Sequence, residues 1–318
     1  MIDPLARWGL GDKPDYAGLP TYGGTPYTED PEELAGADVA IVGAPFDDLV
    51  SHRPGARFGP RAIRAASCPP GPHLEVGVDA FRELRIVDFG DAPVIPADWK
   101  ASHAAIERIV GEVLDADVVP VVLGGDHSIT EPEIVAVAGR RGPLGLVHFD
   151  THTDTGTEVF GVERSHGTPM YRLVEAGLVD PTRYVQIGLR GYWPGEAEFG
   201  WQAEAGITSL FAHDVRERGV RAIVEDALEV VGDGLCFVTV DIDVLDPAFA
   251  PGTGTPEPGG LSSAELLWAV RTVAAAVELA GADVVEVIPT AIGSADVTAL
   301  VADRIVRELL TGLALRRR

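Results

Sequence analysis

Three apolar, valine-rich segments of this 318-residue chain are each followed by side chains that commonly bind metals. GGDHS follows residues 118–123, DTHTD follows 144–149, and DIDVLDP follows 235–240. Residues two apart in extended chain point to the same side, and ligands bind beyond the carboxyl ends of parallel strands. We therefore expect one convergent set of carboxylates and imidazoles. Its members are His127, Asp150, His152, Asp154, Asp241 and Asp243.

Such a set predicts a particular chemistry. Four ionised aspartates held together repel one another, and folding resists that arrangement unless cations are present. Two divalent ions would neutralise the four charges. Oxygen ligands with two imidazoles and no sulfur favour Mn²⁺ or a similar ion over a structural zinc. Two ions about 3.5–4 Å apart lower the pKa of a shared water and present hydroxide to an electrophilic carbon or phosphorus, so the pattern predicts a hydrolase.

Other interpretations of these motifs are weaker. Aspartate at a strand end also caps helices and forms turns, so one such motif alone indicates little. Three of them, each after an apolar strand, favour a shared site. Ser128 lies in GGDHS rather than in a G-x-S-x-G elbow, and the sequence has no H-E-x-x-H, P-loop or dinucleotide-binding motif.

The elements that must position these residues alternate along the chain. Short apolar segments between longer helical patterns predict an α/β fold, with a parallel sheet covered by helices on both faces. The predicted strands are 38–43, 84–88, 118–123, 144–149, 183–188, 206–210, 235–240 and 283–288. Predicted helices include 98–114, 168–177, 214–230, 262–280 and 295–313.

Composition narrows the class of protein. Twenty-five Lys and Arg against 49 Asp and Glu give a formal net charge of -24, which disfavours binding to nucleic acid. The two cysteines, Cys68 and Cys236, cannot form a disulfide framework, and we expect Cys236 to be a buried thiol. No apolar run approaches the roughly 20 residues that span a bilayer, and the first residues do not resemble a signal peptide. We therefore expect a cytoplasmic protein that does not bind membranes.

The motifs GGDHS, DTHTD, SHGTP and DIDVLDPAFAPGTGTPEPGG resemble, in order and spacing, those of the ureohydrolase (arginase and agmatinase) family. The segment HRPGARFGPRAIR at 52–64 resembles its agmatinase-like branch, and the similarity covers about 38–312. The resemblance implies one α/β/α three-layer domain over 1–318, with a central eight-stranded parallel sheet. We expect residues 1–30 to form a loosely packed arm. Trimers and hexamers are common in the family, so we expect a homo-oligomer.

The resemblance also implies a ligand set for two Mn²⁺ ions per subunit, with Ni²⁺ or Co²⁺ as alternatives. One ion would be held by His127, Asp150, Asp154 and Asp241. The other would be held by His152, Asp150, Asp241 and Asp243. Asp150 and Asp241 would then bridge the ions.

Further residues take catalytic roles by the same resemblance. His166 of SHGTP matches a histidine beside the substrate that protonates the leaving amine. Glu286, predicted in the middle of the last strand, matches the carboxylate that pairs with the guanidinium group. Asp154 would accept a proton from the nucleophile. We expect His148 to be a core residue or a support of the metal ligands, and Asp126 to orient His127 or its loop.

The implied reaction cleaves a guanidino compound to urea and an amine, with agmatine as the first candidate substrate. Family members commonly have other residues at Thr151, Thr290 and Ala291, so 4-guanidinobutyrate, 3-guanidinopropionate, guanidine and proclavaminate-like compounds stay open. Arg164 is a candidate partner for a substrate carboxylate, and Trp193 a candidate wall of the pocket. A noncatalytic ligand-binding member and a deacetylase-like amidohydrolase are the alternatives of another class; the complete ligand set disfavours both.

Overall fold

The computed structural model of the protein describes residues 18–67, 71–289 and 296–318. In these ranges, eight strands form one sheet in the order β2-β1-β3-β8-β7-β4-β5-β6, and every neighbouring pair is parallel. This confirms the predicted sheet. The strands are β1 Val39–Gly43, β2 Ile86–Asp91, β3 Val119–Leu123, β4 Leu144–Phe149, β5 Val179–Leu189, β6 Thr208–Phe211, β7 Leu235–Asp241 and β8 Glu278–Val285.

Helices cover both faces of the sheet, as the sequence predicts. Successive residues of a strand belong alternately to one or the other of two buried apolar clusters. Each cluster also contains apolar residues from the helices. The described helices are α1 Gly59–Ala66, α2 Ala80–Glu83, α3 Trp99–Asp115, α4 Thr130–Arg141, α5 Pro169–Glu175, α6 Glu196–Ala205, α7 Ala212–Arg218, α8 Val220–Val231, α9 Ser263–Ala276 and α10 Val297–Arg316. None of these helices has the length and apolar character needed to cross a membrane.

The strand order determines where the polar motifs meet. In the sheet, β8 and β7 lie between β3 and β4. Because these four neighbouring strands are parallel, they all end at the same edge of the sheet. The three polar motifs come at the ends of β3, β4 and β7, and Glu286 follows β8. Such a break in strand order, beyond the carboxyl ends of the strands, is where open α/β sheets bind ligands.

The sequence misplaces the last strand. The predicted helix over 262–280 ends at Ala276, and β8 begins at Glu278 rather than at residue 283. A strand buried on both faces lacks alternation, so its sequence is hard to distinguish from that of a buried helix. Gly281 contributes to the error, since glycine is unusual in a strand. Here it is needed, because an added Cβ would lie 2.8 Å from the ring of Phe237.

The segment expected to form a loosely packed arm, residues 1–30, includes a buried anchor in the part that the structure describes. Tyr22 is fully buried, its backbone N–H donates to Asp88, and its hydroxyl donates to the carbonyl of Asp303 in α10. This contact anchors the segment against the helical layer. Residues 1–17 lie outside the described ranges.

Candidate metal centre and active site

His127 faces three of the predicted aspartates. Its Nδ1 lies 3.1 Å from an oxygen of Asp150, 2.9 Å from one of Asp154 and 3.4 Å from one of Asp241. His127, Asp150 and Asp241 are almost fully buried. The four side chains come from the ends of β3, β4 and β7, so the structure brings together the residues predicted for the first ion.

Hydrogen bonds behind His127 determine which of its nitrogens carries the proton. Thr239 Oγ1 donates to Asp283 at 2.5 Å, so it accepts from His127 Nε2–H at 2.9 Å. In the neutral ring, Nδ1 then presents a lone pair to the three carboxylates. This nitrogen makes no hydrogen bond, although it is fully buried. An imidazole lone pair and carboxylate oxygens at these separations are the donor set of a common cation.

His152 organises a second group that shares Asp150 with the first. Its Nδ1 lies 3.1 Å from an oxygen of Asp243 and 3.5 Å from one of Asp150. Asp243 follows Asp241 by two residues, and its backbone N–H donates to the Asp241 carboxylate at 2.8 Å. The structure therefore contains two adjoining groups of histidine and aspartate side chains that share Asp150.

The charges of this cluster favour bound cations. Burial, followed by the charges of Asp243 and Asp150, raises the pKa of Asp241 well above its usual range. Burial lowers the pKa of His127, but its interactions with the carboxylates of Asp150, Asp154 and Asp241 outweigh burial and raise that pKa well above its ordinary value. Protons thus offset the excess negative charge in the absence of metal. The donor set fits two divalent ions.

His148 supports the cluster from within β4. Tyr184 is 2.9 Å from its Nδ1, and Asp150 is 2.7 Å from its Nε2. Both ring nitrogens are therefore engaged. In addition, His148, His127, Asp150 and Asp154 each have a ligand atom close enough to the others for the four residues to bind one metal ion. Its contacts agree with the predicted supporting role, in which it orients Asp150.

His166 and Glu286 form a pair beside the cluster. His166 Nδ1 lies 2.8 Å from Glu286 Oε1, which also accepts the backbone N–H of His127 at 2.9 Å. Glu286 Oε2 is buried and has no hydrogen-bond partner. Burial lowers the pKa of His166, but the charge of Glu286 outweighs it and raises the pKa to about 9. A free carboxylate oxygen beside an imidazole can bind a cationic group and exchange protons with it.

The placement of Glu286 corrects the sequence interpretation. It follows β8 instead of lying in the middle of the strand, and its φ is 61°. Asp154 has a φ of 50°. Both are left-handed conformations that a residue with a Cβ rarely adopts. Gly254 lies opposite Glu286, and an added Cβ at that glycine would be 3.4 Å from Oε2.

A cavity of about 250 Å³ opens onto these residues. Its polar end contains His152, Asp154, His166 and Asp241, and its apolar wall is formed by Val159, Phe160 and Trp193. The rings of Phe160 and Trp193 are largely exposed, as the prediction for Trp193 requires. Among the described residues, those lining the cavity include no lysine or arginine.

Glu198 adds a further carboxylate to the cavity wall. It lies in the first turn of α6, and its Oε1 accepts hydrogen bonds from the hydroxyls of Thr153 and Thr155, both at 2.6 Å. The two threonines flank Asp154. Glu198 therefore links α6 to the loop that carries the metal-binding residues.

Other predicted residues lie away from the cavity. Arg164 pairs with Glu131 at 3.2 Å and stacks over Trp99, so its candidate role toward a substrate carboxylate has no support in the structure. Asp126 accepts from the backbone N–H groups of Ser128 and Leu49 and so fastens loops, as predicted. Thr151 is buried behind the cluster, with its N–H directed to Asp243. Thr290 and Ala291 lie outside the described residues.

Sequence reasoning missed four polar residues of the site. Ser51 contacts His166, Glu198 lines the cavity, and Thr239 and Asp283 support His127. Ser51 immediately precedes HRPGARFGP, which is a signal that could have identified it. The other three have no local pattern, because their partners are distant in sequence.

Known proteins resemble this chain over nearly its whole length. A guanidinopropionase of Pseudomonas aeruginosa is 44% identical over 306 residues, 95% of this chain and 93% of that protein. A mitochondrial agmatinase of Gallus gallus is 40% identical over 278 residues, 86% of this chain and 81% of that protein.

Solved structures show the same architecture. Proclavaminate amidino hydrolase from Streptomyces clavuligerus has a TM-score of 0.89 and 38% identity, covering 96% of this chain and all of that one. A formiminoglutamase of Trypanosoma cruzi with Mn²⁺ has a TM-score of 0.81 and 25% identity, covering 91% of this chain and 96% of that one. The model of the arginase family matches residues 37–312. The chain belongs to the arginase family and is a ureohydrolase that acts on guanidino compounds.

Proposed function

We propose that this ureohydrolase uses two Mn²⁺ ions to cleave agmatine into urea and putrescine. The observation that carries the proposal is the cavity. It joins the two metal-binding groups to an apolar wall and a further carboxylate, and no described lining residue is a lysine or an arginine. Agmatine has a guanidinium group, an apolar chain and an ammonium group in that order.

For the metal centre, we propose the two ligand sets named above, bridged by Asp150 and Asp241. When bound, the ions would supply a hydroxide nucleophile near neutral pH. Carboxylate oxygens predominate among the ligands, which favours Mn²⁺ over softer ions. The Mn²⁺ in the formiminoglutamase structure supports the same choice.

The residues of this chain would orient the substrate and move its protons. Glu286 Oε2, buried and free of other partners, would accept hydrogen bonds from the guanidinium group. Asp154 faces the cavity and would accept the proton of the attacking water. His166 would return a proton toward the leaving amine.

Glu198 would interact with the end of the substrate opposite the guanidinium group and so favour a particular class of substrate. Its Oε1 is occupied by two threonine hydroxyls, and a cationic tail would be attracted to the charge of the carboxylate. A substrate carboxylate would be repelled.

A guanidino acid such as 3-guanidinopropionate is the second candidate, and the identity to guanidinopropionase favours it. Arg53 would then be the partner of the carboxylate. Arg53 is exposed, and its one hydrogen bond within the described part of the chain is a 3.4 Å donation to the carbonyl of Gly254, next to the cavity residue Thr255.

The test measures urea from agmatine, arginine, 4-guanidinobutyrate, 3-guanidinopropionate and guanidine, with bound metal counted in the same samples. We expect agmatine to give the highest kcat/KM. Glu198→Gln keeps an oxygen for both threonine hydroxyls and removes the charge, so it should raise KM for agmatine about tenfold and leave guanidine turnover unchanged.

The result that would overturn the choice of agmatine is urea from guanidino acids alone, with KM raised by Arg53→Met and unaffected by Glu198→Gln. Two bound ions without urea from any compound would favour the noncatalytic alternative. The homo-oligomer, the single domain and the cytoplasmic location stay predictions.

A further inference from the structure

Glu133 is a buried carboxyl that the proposed reaction does not use. It lies in the first turn of α4 and is fully buried, and neither of its oxygens has a hydrogen-bond partner among the described residues. An ionised carboxylate in such a place is costly, because burial removes its hydration and no donor replaces the lost water. The protonation of Glu133 therefore needs an explanation.

The helix directs Glu133 toward Asp283 of β8. Thr130, three residues earlier in α4, is also fully buried, and its hydroxyl donates to Asp283 Oδ2 at 2.7 Å. Residues three apart share one face of a helix, so Glu133 lies on the same side as Thr130. Asp283 is close enough to act on the Glu133 carboxyl. Two ionised carboxylates are both acceptors, however, so they form a hydrogen bond only when one of them carries a proton.

We propose that Glu133 is a neutral carboxylic acid and a positioning residue for the metal centre. Its O–H donates to Asp283 and so fixes the direction of the hydrogen bonds that run from Asp283 through Thr239 to His127. The inference rests on the proposed function, because the orientation of His127 matters through the metal ion that this histidine would bind.

The donors around the two carboxyls decide which of them holds the proton. Asp283 accepts from Thr239 at 2.5 Å and from Thr130 at 2.7 Å, and these bonds stabilise its negative charge. The first turn of a helix also favours a carboxylate, but neither oxygen of Glu133 accepts a backbone N–H there. Burial, followed by the charge of Asp283, raises the pKa of Glu133 well above its usual range. The charge of a protonated His127 acts in the opposite direction and is the smallest of these effects.

The proton on Glu133 determines how the hydrogen bonds run. With Asp283 ionised, the Thr239 hydroxyl donates to it, and the oxygen of that hydroxyl accepts from His127 Nε2–H. If Asp283 held the proton instead, Thr239 could donate to Nε2 and the neutral ring would carry its proton at Nδ1. That tautomer would direct an N–H, and no lone pair, at the three surrounding carboxylates. Glu133 thus supports the metal-binding tautomer of His127.

The experiment compares Glu133→Gln and Glu133→Leu with the wild type. Glutamine has nearly the same shape and an N–H that can donate to Asp283, whereas leucine fills the space and offers no donor. Calorimetric titration of Mn²⁺ into metal-stripped protein measures the affinity of the site that contains His127. Loss of a support outside the ligand set costs about 10–100-fold in metal affinity, so we expect Kd to rise about tenfold in Glu133→Leu and to stay within about threefold in Glu133→Gln. Equal Kd values for the two variants, whether raised or unchanged, would overturn the positioning role.

The pH dependence of stability tests the proton itself. The pKa of Glu133 is near 4.5 in the unfolded chain and higher in the folded protein, so unfolding releases this proton above pH 4.5 and stability falls as the pH rises. Glu133→Gln has no such proton. Its unfolding equilibrium constant in urea denaturation should therefore fall relative to that of the wild type by up to about tenfold per pH unit between pH 5 and 8. The metal ligands are the same in both proteins, so their titration cancels in the comparison. A ratio that does not change with pH would show that Glu133 is ionised and would overturn the proposal.

The proposed function can fail separately. A wild-type protein that neither binds Mn²⁺ nor releases urea from a guanidino compound would refute the metal-dependent reaction, and the proton on Glu133 can then be tested without metal. The infrared difference spectrum between the wild type and Glu133→Gln at pH 7 should contain the C=O band of a protonated carboxyl group. The band of an ionised carboxylate in its place would refute the proton on Glu133.

Discussion

Replacing Thr239 with valine should weaken metal binding from a position that touches no ion. Thr239 Oγ1 accepts from His127 Nε2–H at 2.9 Å and donates to Asp283 at 2.5 Å, and all three residues are fully buried. Valine has nearly the same shape but cannot accept the N–H. The imidazole then loses the hydrogen bond that directs the Nδ1 lone pair at the carboxylates.

The size of the effect follows from comparable supports in metalloproteins. Loss of such a partner costs about 10–100-fold in metal affinity, equivalent to about 1.4–2.8 kcal/mol. The unpaired N–H should also lower the free energy of unfolding of the metal-free protein by about 1–3 kcal/mol. Asp283 keeps its second hydrogen bond, from Thr130 at 2.7 Å, which limits the damage.

The assay is calorimetric titration of Mn²⁺ into metal-stripped protein at fixed pH, with urea denaturation of the same samples. We expect the higher Kd at the site that contains His127. Thr239→Ser is the matched control, because it keeps the hydroxyl and loses a methyl group. If Thr239→Val binds both ions like the wild type, or if Thr239→Ser is equally impaired, the argument from the imidazole proton is refuted.

Two further predictions concern stability. Burial, with a smaller effect of Arg164, lowers the pKa of His103 to about 4, so the unfolded chain, with a pKa near 6.5, binds this proton more tightly. Above pH 6.5, His103 is neutral in both states and the free energy of unfolding keeps its full value. As the pH falls toward 4, the unfolded chain takes up the proton and this free energy decreases. His103→Gln should therefore flatten the fall in unfolding free energy between pH 7 and 4.5 by roughly 2–3 kcal/mol, measured by urea denaturation; equal slopes would contradict this. Arg64 donates twice to the buried Asp88, at 2.8 Å each, and Arg64→Met should lower the unfolding free energy by about 3–5 kcal/mol. Adding Asp88→Asn should restore part of that loss, and no restoration would show that the charge is not the cause.

The cluster of aspartates and histidines could be predicted because each of its members belongs to a short local motif. Three motifs follow apolar segments, and parallel strands bring their carboxyl ends to one edge. Periodicity alone cannot give the strand order, yet any order that places β3, β4 and β7 close together gives the same cluster. Family resemblance then supplied His166 and Glu286.

The supporting residues could not be predicted in this way. Thr239 acts on a histidine 112 positions earlier in the chain, and Ser51 on one 115 positions later. Such pairs depend on how loops fold over the sheet, which local patterns do not encode. The substrate could not be predicted from local patterns either, because Glu198 lines the cavity only as a result of the position of α6 in the fold.

The left-handed backbone at Asp154 and Glu286 has a consequence for laboratory evolution. Each such conformation costs about 1–3 kcal/mol, and glycine adopts it without that cost. Libraries screened by heat alone should therefore accumulate glycine at these two positions. The variants selected in this way would keep the fold and lose the ureohydrolase activity. Thermal screens of this protein therefore need a measurement of turnover as a second criterion.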